Sequence, residues 1–178
     1  RLARGEVASS SLIRAIVGSF MDTFMKDRNL LVNLAAHPYQ GPDYLYDHSL
    51  KLCLLSLSLA STAGYSRAQA IDIAQGALLA DVGMMLVPEA ILIKAGKLTE
   101  QELGEIHKHP ANSFALLEKI PGVSDIVLSA AYQHHERLTG AGYPRRRSGN
   151  QISQAARIVA IADTLCAMVH KRSHRDAM

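Results

Sequence analysis

Apolar residues recur at helical spacing along most of the chain. The first clear stripe, at i, i+3 and i+4, lies between residues 9 and 26 and consists of Leu12, Ile13, Ile16, Val17, Phe20 and Phe24. No run of strictly alternating apolar and polar residues predicts a β-strand. The pattern therefore predicts an all-α protein.

Start and stop signals divide this pattern into further helices. A second helix is predicted from about residue 43 to residue 63, where a glycine closes it. Ser66 and Gln69 form a capping box that opens a third helix, predicted to reach Ala80, and a similar box at residues 99–102 opens a short one. The remaining helices are predicted to begin near Pro110, near Ser124 and near Ser153.

The composition is that of a soluble globular protein of one domain. The chain has 178 residues, of which 48% are apolar and 20% charged. Its longest apolar stretch, residues 50–60, is interrupted by Lys51 and has about half the length of a membrane span. Cys53 and Cys166 are far apart, which is typical of a reducing compartment and predicts a cytoplasmic location. The net charge of +3 is too small to indicate nucleic-acid binding.

Six histidine and aspartate residues are candidate metal ligands, some at the ends of predicted helices and others, such as His48 and Asp163, within them: His48, Asp81, His109, His134, His135 and Asp163. Because adjacent helical residues diverge by roughly 100°, His134 and His135 can share a cluster only at a helix end or around two metals. From spacing alone, a metal site and ordinary histidines remain equal alternatives. We interpret the isolated residues His37, His107, His170 and His174 as ordinary satisfied or exposed histidines.

A series of motifs recurs in a fixed order. It reads DHS at 47–49, LLADVGM at 78–84, KAGKLTE at 94–100, HP at 109–110, HHERLTGAGYP at 134–144, ADTLCAM at 162–168 and RSHR at 172–175. This order resembles that of HD-GYP domains, the metal-dependent phosphohydrolases of bacterial cyclic di-GMP signalling. The resemblance covers residues 43–178 and implies the helical bundle of the HD superfamily. We therefore interpret residues 1–40 as an N-terminal helical lead-in packed on the core, and residues 41–178 as an HD-GYP-like domain with a truncated C-terminal end.

The resemblance also implies a ligand set. In the family, the first metal site corresponds here to His48, Asp81 and Asp163, and its HD histidine is replaced by Ala80. The second site corresponds to Asp81, His109, His134 and His135 and is complete. Members with a third metal use a glutamate where this chain has Tyr44. We expect one divalent ion per chain, either iron, manganese, nickel or zinc.

The same resemblance indicates that catalytic residues are missing. Met84 stands at the family's DIGK lysine, Thr139 at the aspartate of DGxGYP and Cys166 at the second aspartate of ADxxDA. We interpret Cys166 as a small core residue, with a thiolate ligand as the alternative. The favoured interpretation is a degenerate sensor or docking module with little or no hydrolysis. The alternatives are a weakened phosphodiesterase for cyclic di-GMP or a related cyclic dinucleotide, and a purely structural dimerisation domain.

The glycine-rich loop survives and predicts a second kind of site. The residues assigned to nucleotide or phosphate binding, or to docking, are Gly142, Tyr143, Pro144, Arg145, Arg172 and Arg175. The resemblance implies a diguanylate cyclase domain as docking partner, with a homodimer as a further alternative. The simpler interpretation is that the loop is merely ordered beside the core.

Overall fold

A computed structural model gives the structure of the protein and describes residues 9–37 and 44–169. Within these residues the chain forms nine α-helices, two short 3-10 helices and no β-strand. The α-helices are α1 (Ser10–Lys26), α2 (Arg28–Ala36), α3 (Tyr44–Thr62), α4 (Arg67–Leu78), α5 (Glu89–Leu92), α6 (Glu100–Ile106), α7 (His109–Leu117), α8 (Asp125–Gln133) and α9 (Gln154–Val169). The 3-10 helices are Val82–Leu86 and Gly149–Gln151. The all-α prediction is confirmed.

Local hydrogen bonds explain where most helices begin. Both predicted capping boxes form: the Ser66 side chain accepts from the Gln69 N–H group, and that of Thr99 accepts from the N–H group of Glu102. Helix α2 was not predicted. Asp27 caps it by accepting two backbone N–H groups, and several of its apolar side chains are exposed.

The helix predicted as the third one, which is α4 in the structure, ends earlier than predicted. It stops at Leu78 rather than at Ala80, because the chain tightens there into turns of the 3-10 type. In these turns the Ala80 N–H group donates to Ala77, and the Val82 N–H group donates to Leu79. Asp81 therefore lies in a tight turn beyond the helix end.

The core lies between the long helices. Helices α3 and α4 pack side by side, α9 contacts both, and α8 packs on α4 and α9. Buried residues at this centre include Leu52 and Leu57 of α3, Ile73 of α4 and Val159 of α9. Among the described helices, none is long and apolar enough to cross a membrane.

The first two helices contribute to the same core. Val17, Met21 and Phe24 of α1 are buried in it, α1 contacts α4, and α2 contacts α3. The division of the chain into residues 1–40 and 41–178 stays a prediction.

Candidate metal centre

The turn that carries Asp81 is fastened to helix α7. The Ser113 hydroxyl donates to the Ala80 carbonyl oxygen at 2.6 Å and accepts from the Gly83 N–H group at 2.8 Å. Gly83 packs so closely that a Cβ atom there would collide with the carbonyl oxygen of His109. Helix α7 begins at His109, so this contact sets Asp81 and His109 beside each other.

Four of the candidate ligands form a compact cluster. Asp81, His109, His134 and His135 each offer one ligand atom, and these atoms all lie within 4.8 Å of one another. Asp81 Oδ1 is 3.1 Å from Nε2 of His109 and 3.5 Å from Nε2 of His134. Helix α8 ends at Gln133, which gives the two consecutive histidines the freedom that sequence spacing required.

The two remaining candidates adjoin this cluster from the other side. His48 Nε2 lies 3.5 Å from Asp81 Oδ2 and 3.2 Å from Asp163 Oδ1. Asp163 Oδ2 is 3.6 Å from His135 Nδ1. The two oxygens of Asp81 therefore face different partners, with two cluster histidines on one side and His48 on the other.

Hydrogen bonds orient two of the histidine rings. The Nδ1 atoms of His109 and His134 each lie 2.8 Å from a backbone carbonyl oxygen, that of Ile106 and that of Ala131. Each Nδ1 therefore carries a proton, and Nε2 points inward. The two Nε2 atoms are 3.3 Å apart. In a metal protein, such a bond to the outer ring nitrogen orients a histidine ligand. The donor set of three imidazoles and one carboxylate fits a divalent transition metal.

The charges of the cluster are strongly coupled. Burial alone would raise the pKa of Asp81, but hydrogen bonds from His109 and His134 outweigh burial and hold this pKa well below its usual range. The same balance, with His48 as the hydrogen-bond partner, lowers the pKa of Asp163. Burial lowers the pKa of His135 well below its usual range, and the neighbouring His134 adds to this shift. At neutral pH the site thus offers two carboxylates and a neutral His135 ring.

The loop after the histidines folds back onto them. The buried Glu136 carboxylate accepts the backbone N–H group of Arg145 at 2.7 Å and that of Arg147 at 2.9 Å. A Cβ atom at Gly142 would collide with the backbone of residues 135–137. The Tyr143 N–H group donates to the His135 carbonyl oxygen at 3.2 Å. Glu136, Gly142 and Tyr143 therefore hold the loop against the two consecutive histidines.

Comparison with known proteins agrees with this geometry. A family model described as HD domain matches residues 29–178. The chain belongs to the HD domain family. The order of its motifs, described above, identifies it as a domain of the HD-GYP type.

This HD-GYP domain is similar to longer curated relatives. It is 31% identical over 171 residues to the cyclic di-GMP phosphodiesterase PA4108 of Pseudomonas aeruginosa. The aligned residues make up 96% of this chain and 41% of the relative. It is 37% identical over 135 residues to the 3'3'-cGAMP-specific phosphodiesterase 1 of Vibrio cholerae. Here the aligned residues make up 76% of this chain and 31% of the relative. The chain thus spans less than half of these relatives.

A solved structure shares the fold. Bd1817, a HDG"Y"P protein from Bdellovibrio bacteriovorus, matches with a TM-score of 0.73 and 20% identity, over 87% of this chain and 49% of that chain. At this identity the likeness concerns the fold alone.

The HD-GYP motif residues that differ from the family pattern lie in varied surroundings. Ala80 is fully buried, with its methyl group in the main core cluster. Met84 is half-buried, Thr139 is exposed and Cys166 is 2% exposed. The burial of Cys166 agrees with its interpretation as a core residue.

The residues predicted for phosphate binding or docking do not all face the cluster. Tyr143 does, since its ring centroid lies 4.7 Å from that of His135. The side chain of Arg145 instead lies beside helix α8, where its Nε donates to the Tyr132 hydroxyl at 2.9 Å. Arg172 and Arg175, like His170 and His174, lie outside the described residues.

One further histidine lies beside the HD-GYP site, where the sequence had indicated an ordinary residue. His107 stacks on the ring of Tyr143, with centroids 4.0 Å apart and an interplanar angle of 18°. Tyr143 therefore lies between His107 and His135. Burial, followed by the charge of His109, lowers the pKa of His107. The only sequence signal was its position two residues before His109, too weak to separate it from an ordinary histidine.

Proposed function

We propose that this HD-GYP domain binds one divalent metal through Asp81, His109, His134 and His135, and that it serves as a sensor or docking module of cyclic dinucleotide signalling. Its hydrolytic activity is expected to be little or none. The observation that supports this proposal most is the asymmetry around Asp81. With three histidines it forms one compact donor set. On the side of its Oδ2 atom lie His48 and Asp163, and the further ligand that the resemblance implies there is replaced by Ala80, whose methyl group lies in the core.

The missing ligand bears directly on hydrolysis. In two-metal phosphodiester cleavage, a pair of ions supplies an activated water and holds the phosphate. His48 and Asp163 remain close to Asp81, but the methyl group of Ala80 cannot coordinate a metal. Met84 has no charge with which to stabilise a phosphate or protonate a leaving oxygen. A filled four-residue site can therefore hold an anionic ligand without the arrangement that cleaves it.

The names of two relatives support the choice of ligand. By their names, one acts on cyclic di-GMP and another on 3'3'-cGAMP. We accordingly propose a cyclic dinucleotide as the ligand and a cytoplasmic location. Docking onto a diguanylate cyclase domain, through the loop that contains Tyr143, and homodimer formation belong to the same proposal.

Metal analysis of the purified protein is the first test. We expect one tightly held ion per chain, and the Asp81→Asn variant should lose it. Two tightly bound ions per chain would contradict the asymmetry. If no ion binds after purification with metal present, the purely structural dimerisation domain becomes the better interpretation.

A turnover assay on the same sample separates the sensor from the weakened phosphodiesterase. Cyclic di-GMP and 3'3'-cGAMP should bind without conversion above background. Turnover of roughly 1 per second or more, as in ordinary enzymes, would establish the phosphodiesterase instead. Equilibrium dialysis of either nucleotide supplies the binding measurement.

A repair experiment tests the assignment of the lost residues. The double variant Ala80→His with Met84→Lys should gain a second metal and some hydrolysis, and Ala80→His alone should gain the metal first. Met85→Lys is the matched control for Met84→Lys, because Met85 is the exposed neighbour. A melting curve must show that the buried histidine is tolerated. A folded double variant that still binds one metal would show that Ala80 does not occupy the ligand position.

A further inference from the structure

A cleft lies on the outer face of helix α8, away from the cluster of candidate metal ligands. It has a volume of about 1070 Å³ and lies between α7, α8 and the chain that follows the glycine-rich loop. Phe114, Tyr132, Gln133, Arg145 and Arg147 line its walls, and none of the six candidate metal ligands does. The cleft is therefore distinct from the proposed metal centre.

Two arginines supply positive charge to this cleft. The Arg145 guanidinium is held by its Nε bond to the Tyr132 hydroxyl, and an Arg147 Nη1 group donates to the Gln151 carbonyl oxygen at 3.3 Å. Among the described residues, neither arginine side chain has a carboxylate within ion-pair distance. The Glu136 carboxylate fixes the backbone of both arginines. These guanidinium groups are thus positioned by neighbouring residues. The one carboxylate among the described residues that line the cleft, that of Asp125 at the start of α8, forms no ion pair with either of them.

Two aromatic rings form the adjacent wall. Phe114 and Tyr132 are half-buried and meet edge to face, with ring centroids 5.4 Å apart. The Gln133 side-chain oxygen accepts the Ser153 N–H group, which leaves its amide N–H donors for other partners. The cleft therefore combines fixed cations, aromatic surface and a polar amide within one space.

We propose that this cleft is a binding site for a nucleoside monophosphate, with the phosphate on Arg145 and Arg147 and the base against Phe114 and Tyr132. Guanidinium groups match phosphate oxygens through paired hydrogen bonds. Aromatic side chains stack with nucleobases of any identity. The volume lies just above the usual range of small-molecule sites and accommodates a base, a sugar and a phosphate.

An acidic peptide is the competing occupant, since it would also be attracted by two arginines. It would make no specific use of the aromatic wall. The nucleotide is favoured because the two features adjoin: the Tyr132 ring that contacts Phe114 also orients Arg145 through its hydroxyl.

The experiment is calorimetric titration of the full chain with GMP, AMP, guanosine and inorganic phosphate, before and after the metal is removed with a chelator. Both nucleotides should bind in both forms, and more tightly than guanosine or phosphate. Arg145→Gln and Arg147→Gln should each weaken binding by about tenfold, as expected for loss of a charge-assisted hydrogen bond. Phe114→Leu should weaken binding of the nucleotides but not of phosphate.

Arg146→Gln is the matched control. Arg146 lies between the two arginines, is exposed and does not line the cleft, so its loss removes the same charge without removing a contact. An equal loss of affinity in Arg146→Gln would reduce the effect to net charge and overturn the proposal. Loss of nucleotide binding on chelation would assign the binding to the metal centre instead. A poly-glutamate peptide that binds while GMP neither binds nor competes would also refute the proposal.

The double variant Arg145→Lys with Arg147→Lys is a second test, in case the glutamine variants lose binding only because they misfold. It keeps the charge and the length of both side chains but removes the planar fork. A folded lysine pair that binds GMP as tightly as the original would contradict the assigned phosphate contacts.

Discussion

Glu136 gives the sharpest test of how the glycine-rich loop is held. The residue is 2% exposed, and each of its carboxylate oxygens accepts one backbone N–H group from the loop. Glu136→Ala removes both acceptors at once and leaves the N–H groups of Arg145 and Arg147 without their partner. The loop should then separate from residues 135–137.

The magnitude follows from the kind of hydrogen bond. A bond to a charged group contributes about 1.5–3 kcal/mol, and the cost of burying the carboxylate offsets part of two such bonds, so we expect a loss of about 3 kcal/mol. For a domain of this size, that loss lowers the melting temperature by about 6–12 °C. Glu136→Gln keeps one acceptor oxygen but places an NH2 group against the other N–H group. It should lose at least half as much stability.

Calorimetric melting of the metal-depleted protein measures this effect without a contribution from bound metal. Glu118→Ala is the control, because Glu118 is exposed and outside the loop. Its melting temperature should stay close to that of the unaltered protein. If Glu136→Ala loses less than about 1 kcal/mol, the net value of a single ordinary hydrogen bond, then packing of the loop rather than the carboxylate holds it in place.

Three further perturbations test the surroundings of the metal site. His107→Ala should weaken cobalt binding and alter the cobalt absorption spectrum. His107→Phe should preserve both, because a flat ring still supports Tyr143 against His135. If the spectrum of His107→Ala is identical to that of the unaltered protein, His107 has no positioning role. Gly142→Ala should lower the melting temperature because its Cβ atom meets backbone, whereas Gly104→Ala, in open space within a helix, should be neutral or stabilising. In the metal-depleted protein, stability should fall as the pH drops below about 6.5, because the unfolded chain binds the proton that buried His135 resists. Urea unfolding at several pH values should show a weaker dependence in the His135→Asn variant, and an unchanged slope would contradict this assignment.

The sequence predicted those features that depend on neighbours along the chain. The capping boxes at Ser66 and Thr99 form as expected because all their partners lie within three residues. The six candidate ligands come together in the structure. Only the resemblance could predict this, since it carries three-dimensional information that spacing alone does not contain. Their role as metal ligands stays a prediction.

Features that depend on residues far apart in the sequence could not be predicted from it. The stack of His107 on Tyr143 joins residues far apart in sequence, and no local pattern indicates it. The direction of Arg145 depends on a hydroxyl group of helix α8. The early end of helix α4 depends partly on Ser113, which binds the Ala80 carbonyl oxygen from another helix.

The position of His48 between two carboxylates has a consequence for how such a domain changes over time. Its Nε2 atom lies near both Asp81 and Asp163, and so connects α3 to the end of α4 and to α9. With alanine at position 80, His48 still contacts two buried acids and ties three segments together. A histidine in such a position can therefore be kept as a structural tether, and a cluster of this kind can change one residue at a time while the bundle around it stays intact.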